Sequence, residues 1–376
     1  MDKLKVVFTG GGTGGHLYPA IAIAQALGDR ATVTFIGTAD RLESQIVPKA
    51  GYPLVTVRAA PLKRTGSPRV VTTGFANLAG LFQSMRALVR LNPDVVIATG
   101  GYVCFPVVAA AFVLRSLRLL HCAIALLEPN AHPGLTNRML APLVDEVWGA
   151  FAQADEHFSG KYVYTGIPVR ASLRDLPSRD AALERLGLSA KRLTLLAMGG
   201  SQGARSINDA LTSLLTSDGL PDGWQLIHVT GEQEYDRVRA ALRASRSLAP
   251  QGEGIRAYLD DVTDAYAAAD LVLARAGAST VGELAATARP AILVPYPHAA
   301  EDHQRSNAAA VAQAGAAVVV DDRELAAGKL RTILADVTKP ARLAAMRAAA
   351  ERERAADPLT TILARVDALT TRKKRS

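Results

Sequence analysis

The stretch VVFTGGGTGGHLYPAIAIA, residues 6–24, sets an apolar run, a glycine-rich turn and an amphipathic segment in that order. Val6, Val7 and Phe8 suit a strand buried on both faces, and Leu17 to Leu27 has helical spacing. Strand, glycine turn and helix open a βαβ unit, which predicts a parallel sheet with helices on both sides. Glycines in such a turn allow positive φ and let backbone N–H groups approach an anion at the helix N-terminus. The turn also contains Gly10-x-Gly12-x-x-Gly15, the spacing of a dinucleotide site. That site needs, in addition, an acid at the end of the second strand to bind ribose hydroxyls. Here the strand TVTFIG ends at Gly37-Thr38, and Asp40 arrives late. His16, directly after the glycines, is a second departure. A neutral imidazole at a helix N-terminus facing a cleft suits a general base, although capping or packing would also account for it.

The same alternation runs outward from this stretch. KVVFTG, TVTFIG, PLVTV, DVVIATG, CAIALLE and DEVWGA read as buried parallel strands, with helices at Leu17 to Leu27, Phe75 to Arg90 and Gly134 to Leu140. YVYTGIPVRASLRDLPSRDAALERLGL reads as a linker, and a second series follows it: LTLLAMGG, WQLIHVTG, GIRAYL, LVLARAG, AILVPY and AAVVVDD. The expectation is an α/β chain of two Rossmann-like domains, residues 1–165 and 166–350, with a C-terminal helix and basic tail at 351–376. At 376 residues, 49% hydrophobic and 21% charged, the chain can build two sizeable cores.

Composition narrows the function classes. No apolar run approaches about 18 residues, and no signal-peptide core is visible, so neither a membrane span nor secretion is expected. Cys104 and Cys122 are the only cysteines. Two thiols argue against a disulfide framework, fit a reducing cytoplasm, and lack a second Cys or a His at metal-ligand spacing. The net charge of +8 (43 basic minus 35 acidic residues) suits an anionic partner. With no basic helix interleaved with aromatics, nucleic acid is not that partner.

Several further motifs fall at predicted strand ends. IATGGYVCFP supplies Gly100, Gly101 and Tyr102, and LAMGGSQGAR supplies Ser201. In ARAGASTVGE, the residues Gly277, Ala278, Ser279 and Thr280 suit a diphosphate, and Glu283 one helical turn on suits two ribose hydroxyls. Thr280-x-x-Glu283 fits an N-capping box equally well. YPHAAEDHQRSNA offers His298, Asp302, His303, Gln304 and Asn307 to a sugar. LLEPNAHPGLTNRML places Glu128 and Asn130 at a strand end, with Asn137 and Arg138 read as surface residues. Arg170 in YTGIPVR falls at the domain junction, where a cleft contact and an interdomain salt bridge are both open.

In order along one chain, GGGTGGHLYPAIAIA, TGGY, EPNAHPGLTNR, GIPVR, GGSQGAR, RAGASTVGELAA and HAAEDHQRSNA resemble the MurG family, from residue 10 to about 308. Those enzymes move N-acetylglucosamine (GlcNAc) from UDP-GlcNAc to undecaprenyl-diphosphate-linked muramyl-pentapeptide (lipid I), giving lipid II in peptidoglycan synthesis. The resemblance implies a GT-B architecture, two Rossmann-like domains facing each other across a cleft, with the donor held mainly by the second. It implies that Ala278, Ser279, Thr280, Val281, Gly282 and Glu283 hold ribose and diphosphate. It also implies that Ser201 contacts phosphate, Arg170 helps hold the nucleotide and the main chain near Leu259 reads uracil. Gln304 and Asn130 would hold the GlcNAc. Thr13, Gly14 and Gly15 would lie near the sugar-diphosphate, and Gly12, Thr13, Gly14, Gly100, Gly101 and Tyr102 on the acceptor side. His16 is the expected base. No cofactor and no metal is expected, since backbone N–H groups and a helix N-terminus would stabilise departing UDP.

Two departures stand out: Pro129 replaces a glutamine between Glu128 and Asn130, and Cys104 replaces a small hydroxyl residue. The resemblance further implies peripheral attachment to the cytoplasmic face of the bacterial inner membrane, and leaves room for other cell-wall synthesis proteins as partners. Phe75, Leu78, Leu81, Phe82, Met85, Leu88 and Val89 form an apolar stripe near Arg64, Arg69, Arg86 and Arg90, for which core packing is the alternative. Competing readings are a GT-B transferase with another lipid or small-molecule acceptor, a UDP-sugar epimerase, a nicotinamide-dependent oxidoreductase and a plain nucleotide-binding module.

Overall fold

The chain divides into one unit of Met1–Arg170 with Ala356–Ser376 and a second of Ala171–Ala355. The computed structural model describes residues 3–61, 69–200, 203–245, 254–326, 328–354 and 357–375.

In the first unit, β1 (Leu4–Thr9), α1 (Gly14–Leu27), β2 (Ala31–Gly37), α2 (Leu42–Lys49) and β3 (Leu54–Thr56) come first. Then follow α3 (Arg69–Leu91), β4 (Val95–Ala98), α4 (Cys104–Ser116), β5 (Ala123–Glu128), α5 (Leu135–Leu140), β6 (Glu146–Gly149) and β7 (Tyr162–Tyr164). The strands form one parallel sheet in the order β3-β2-β1-β4-β5-β6-β7. β7 lies in the segment expected to be a linker. Three residues carry too little periodicity to read, but the open edge of β6 supplies partners, and Val147 pairs with Tyr162.

The continuous apolar runs are explained by burial on two faces. Val6, Phe8, Val95, Ile97, Ala125 and Leu127 enter a core with α1. Val7, Val96, Ala98, Ile124 and Leu126 enter another with α3 and α4. The last helix, α15 (Pro358–Arg375), also belongs to this unit. Its Leu359, Ile362, Val366 and Leu369 recur at helical spacing and join the α1 core. Arg365 fastens it, pairing with the buried Glu146 on β6, which also accepts from Trp148 Nε1 at 3.0 Å.

The second unit begins with α6 (Arg179–Leu186), β8 (Leu193–Met198), α7 (Arg205–Ser217), β9 (Trp224–Val229) and α8 (Glu232–Ala244). It continues through β10 (Ile255–Arg256), α9 (Thr263–Ala268), β11 (Leu271–Ala274), α10 (Ala278–Thr287), β12 (Ala291–Leu293), α11 (His303–Gln313) and β13 (Ala317–Val319). It closes with α12 (Asp322–Ala326), α13 (Leu330–Val337) and α14 (Pro340–Glu353). Its parallel sheet runs β10-β9-β8-β11-β12-β13. Both units are therefore Rossmann-like, as the alternation predicted. Strand order reverses between β1 and β4 in one sheet and between β8 and β11 in the other. Ligands of open α/β sheets bind at the carboxyl ends of strands at such points.

α3 shows how its apolar stripe divides. Leu88 is fully buried, and Leu81 and Met85 pack against the core, whereas Phe75, Leu78, Phe82 and Val89 are exposed. A Cβ on Gly80 would stand 1.8 Å from the Arg58 carbonyl, so the helix lies directly on that strand-end segment. Among the described residues, no helix is long and apolar enough to cross a membrane.

Candidate functional site

Two glycine loops meet at the switch point of the first sheet. Gly11 N–H donates to the Gly100 carbonyl at 3.3 Å. Gly101, at φ +89°, would place a Cβ 2.4 Å from the Gly11 carbonyl oxygen, so only glycine lets the loops touch backbone to backbone. The Tyr102 ring borders Gly12. Cys104 lies beneath, with its S–H within reach of the Thr9 and Gly100 carbonyls at 3.3 and 3.1 Å. Burial pushes its thiol up to about 12, which makes it a packed hydrogen-bond donor and not a nucleophile.

α1 begins at Gly14, one turn earlier than the sequence suggested, with Thr13 as N-cap. His16 therefore sits in its first turn. His16 Nδ1 is 2.9 Å from the Thr99 carbonyl oxygen, which can only accept, so Nδ1 carries the proton. The neutral ring then has its basic lone pair on Nε2. A Cβ on Gly100 would stand 2.6 Å from Nδ1, so the second glycine loop is also the seat of the imidazole.

The turn after β5 is organised by Glu128. Its buried carboxylate accepts from Asn130 N, Asn130 Nδ2, Gly134 N and Asn137 Nδ2 at 2.8 to 3.1 Å. Burial pushes that carboxyl up to about 7, against the pull of the four donors. Asn137 is buried and also donates to the Leu127 carbonyl, which corrects its reading as a surface residue. Arg170, the last residue of the unit, places its guanidinium 5.3 Å over the Tyr18 ring.

In the second unit, α10 starts at Ala278 with Gly277 as N-cap. Thr280 lies inside the helix, so the Thr280-x-x-Glu283 capping box does not form. Glu283 instead accepts from the Tyr266 hydroxyl at 2.8 Å. Tyr266 is fully buried, and burial with the facing carboxylate pushes its phenol well above its ordinary value. Ser279 Oγ is buried without a hydrogen-bond partner among the described residues, and Val281 and Gly282 are buried. Gln304 Oε1 accepts from Tyr296 N at 3.0 Å, leaving Nε2 as its donor, 3.9 Å from where a Gly277 Cβ would be. The Gln304 amide thus stands at the mouth of α10. Asn307 is buried and donates to the Ala276 carbonyl. Leu259 follows β10, half-buried at the carboxyl edge of the same sheet. Ser201 lies outside the described residues.

Sequence reasoning passed over the residues that hold these loops. Arg275 bonds the Val294 and Pro295 carbonyls, Ser206 Oγ and Asp322, beneath the Tyr296 ring. On α7, Asn208 Nδ2 donates to the Thr230 carbonyl, so Asn208 Oδ1 faces His228 Nε2 at 2.9 Å. His228 is therefore protonated on Nε2, and its Nδ1 is buried without a partner. Adding a second proton there would strand a charge, and burial holds the ring down at about 4. The unfolded ring binds a proton below about 6.5 and the folded ring only below about 4. Stability is thus unaffected by this group above 6.5 and falls as pH drops toward 4, by on the order of 3 kcal/mol. Urea unfolding of the parent and of His228→Gln at pH 7.5 and 4.0 checks this. The variant is expected to lose less on acidification, and an equal loss would clear His228 of the effect.

Residues 6–148 match the glycosyltransferase family 28 N-terminal domain, and residues 194–362 its C-terminal domain. A relative from Desulforudis audaxviator is 40% identical over 371 residues, 96% of this chain and 98% of its own. One from Moorella thermoacetica is 42% identical over 359 residues, covering 92% and 94%. Both are named UDP-N-acetylglucosamine–N-acetylmuramyl-(pentapeptide) pyrophosphoryl-undecaprenol N-acetylglucosamine transferase. Among solved structures, MurG of Acinetobacter baumannii matches with a TM-score of 0.75 at 26% identity over 98% of this chain and 99% of that one. A putative UDP-N-acetylglucosamine 2-epimerase from Listeria monocytogenes reaches 0.63 at 14% identity over 96% of this chain and 95% of that one, which is a likeness of fold alone.

Proposed function

The chain belongs to the family of UDP-N-acetylglucosamine–N-acetylmuramyl-(pentapeptide) pyrophosphoryl-undecaprenol N-acetylglucosamine transferases, and from that membership we propose how its residues divide the reaction. It is a GT-B N-acetylglucosaminyltransferase of lipid II synthesis, using UDP-GlcNAc as donor and lipid I as acceptor. Going from an α-linked UDP-sugar to a β-1,4 product inverts the anomeric carbon, so a single displacement suffices. The muramyl C4 hydroxyl must lose a proton as its oxygen attacks, and UDP must leave with the electron pair.

The observation that carries the assignment is the His16 tautomer. With Nδ1–H committed to the Thr99 carbonyl, Nε2 takes the hydroxyl proton and the resulting imidazolium keeps its hydrogen bond. Leaving-group charge is met by the first-turn N–H groups of α10 at Ala278, Ser279 and Thr280, where the helix dipole adds to them. Glu283 takes the ribose hydroxyls and Gln304 Nε2 the GlcNAc, together with Asn130. Arg170, Ser201 and the main chain at Leu259 complete the donor contacts. Gly12, Thr13, Gly14, Gly100, Gly101 and Tyr102 take the acceptor side, and Thr13, Gly14 and Gly15 also lie near the sugar-diphosphate. UDP release from UDP-GlcNAc, with and without a short-chain lipid I analogue, tests the function. Release that depends on the analogue supports it, and release without any acceptor refutes it.

The acceptor's lipid requires the enzyme to visit the cytoplasmic membrane surface. The exposed Phe75, Leu78, Phe82 and Val89 beside the exposed Arg86 and Arg90 supply apolar area with basic neighbours. Arg64 and the Arg69 side chain lie outside the described residues. Each basic group near an anionic bilayer contributes about 1 kcal/mol. Reversing both Arg86 and Arg90 to glutamate is expected to weaken sedimentation with anionic vesicles roughly tenfold or more. Unchanged sedimentation would remove α3 from the membrane face.

A further inference from the structure

Gly11 and Gly37 both make room for the same side chain. A Cβ on Gly11 would stand 2.6 Å from the Glu43 carboxylate, and one on Gly37 would stand 2.8 Å from Glu43 Cγ. Glu43 lies in the first turn of α2 and is 1% exposed. Its Oε1 accepts from Thr38 N at 3.1 Å and from Thr38 Oγ1 at 2.6 Å, and its Oε2 accepts from Gly12 N at 3.2 Å. The carboxylate thus spans from the end of β2 to the glycine turn after β1, bonding Gly12 across 31 residues of sequence.

This arrangement accounts for the acid that the dinucleotide pattern lacks. A dinucleotide fold keeps a carboxylate at the end of its second strand for ribose hydroxyls. Here a carboxylate reaches that place from the following helix and spends both oxygens on the protein's own donors. Gly11 N–H is committed to the Gly100 carbonyl and Gly12 N–H to Glu43, so neither is turned to a phosphate. What α1 offers an anion are the N–H groups of its first turn, at Gly14 and Gly15.

We propose that Glu43 is a positioning residue that locks the glycine turn for the diphosphate-bearing acceptor and, with its oxygens spent, closes the first unit to a nucleotide. The idea rests on the acceptor-side reading of that turn. Charge-assisted bonds from three donors hold the loop in one conformation, and the loop in turn sets the start of α1 and the position of His16. A glutamine at 43 would keep the Thr38 bonds through its oxygen while presenting an N–H group to Gly12 N–H, which breaks the link to the turn alone.

The experiment compares the full-length parent with Glu43→Gln in steady-state kinetics with UDP-GlcNAc and a soluble lipid I analogue. UDP titration, thermal unfolding and amide hydrogen exchange accompany the kinetics. The expected result is an acceptor KM raised about tenfold, a donor KM and UDP Kd within twofold of the parent, and faster exchange at the glycine turn with the second unit unchanged. Should the glutamine variant fail to fold, Thr38→Val, which removes one of the three donors, is expected to shift acceptor KM about threefold in the same direction. Acceptor and donor constants both unchanged would overturn the proposal, as would a parallel rise in both with lowered thermal stability. If instead the parent itself needs no acceptor for UDP release, the functional reading fails, and exchange at Gly12 still reports whether Glu43 locks the turn.

Discussion

Replacing His16 with alanine is expected to lower kcat by roughly 10²–10⁴, about 3 to 5 kcal/mol of transition-state stabilisation. The geometry supports so large a figure because the ring is held in a single tautomer. Thr99 fixes Nδ1 as the donor, and Gly100, with no Cβ, lets the imidazole lie against the second loop. Fixing the tautomer and the orientation in advance leaves no reorganisation for the moment of proton transfer. Alanine also removes the Nδ1 bond, at a cost of about 1 kcal/mol in stability, so thermal unfolding must accompany the kinetics. UDP affinity is expected to stay within twofold, because the proposed nucleotide contacts lie chiefly on the second sheet. A loss of less than tenfold in kcat, with acceptor binding intact, would rule His16 out as the base.

Glu283→Ala is expected to weaken UDP-GlcNAc binding about 100-fold, near 3 kcal/mol, through the loss of charge-assisted bonds to the ribose. The variant should also stop discriminating against 2′-deoxy-UDP. Stability is expected to fall too, since the buried Tyr266 hydroxyl loses its acceptor, a penalty of about 1–3 kcal/mol. That second effect provides the control. Adding Tyr266→Phe to Glu283→Ala removes the stranded hydroxyl and should restore stability without restoring donor affinity. If the single variant lost stability and still bound UDP-GlcNAc as the parent does, Glu283 would be Tyr266's partner and not the ribose ligand.

Much of the fold was legible because its signal is local. Val6 to Phe8 and Ala123 to Leu127 are apolar without interruption, the mark of strands covered on both faces, and each is followed by a turn and a helix. β7 was missed because Tyr162–Tyr164 is stabilised by the edge of β6 and not by its own pattern. The capping box at Thr280 failed because the same letters serve an N-cap or a helix interior. Gly277 took the cap, and a tyrosine distant in sequence took the glutamate. Asn137 was misread for a similar reason: a polar residue on a short helix looks solvated until its buried partner, Glu128, is in view.

Two parallel-sheet units, glycine turns at their strand ends and a family identity carried by seven motifs in order can all be read along the chain. These follow from periodicity, from backbone freedom at glycine and from motif order, all written along the chain. The tertiary structure alone decided what the glycines are for. Gly11 and Gly37 clear space for Glu43, Gly100 seats His16, and Gly101 lets two loops meet. It alone returned the last helix to the first unit, through Arg365 and Glu146. Apart from the Gly37–Glu43 contact, which is local, those outcomes depend on contacts between segments about 30 to more than 200 residues apart. A carboxylate or an imidazole acquires its partner, its tautomer and its task only when the sheet brings such segments to one edge.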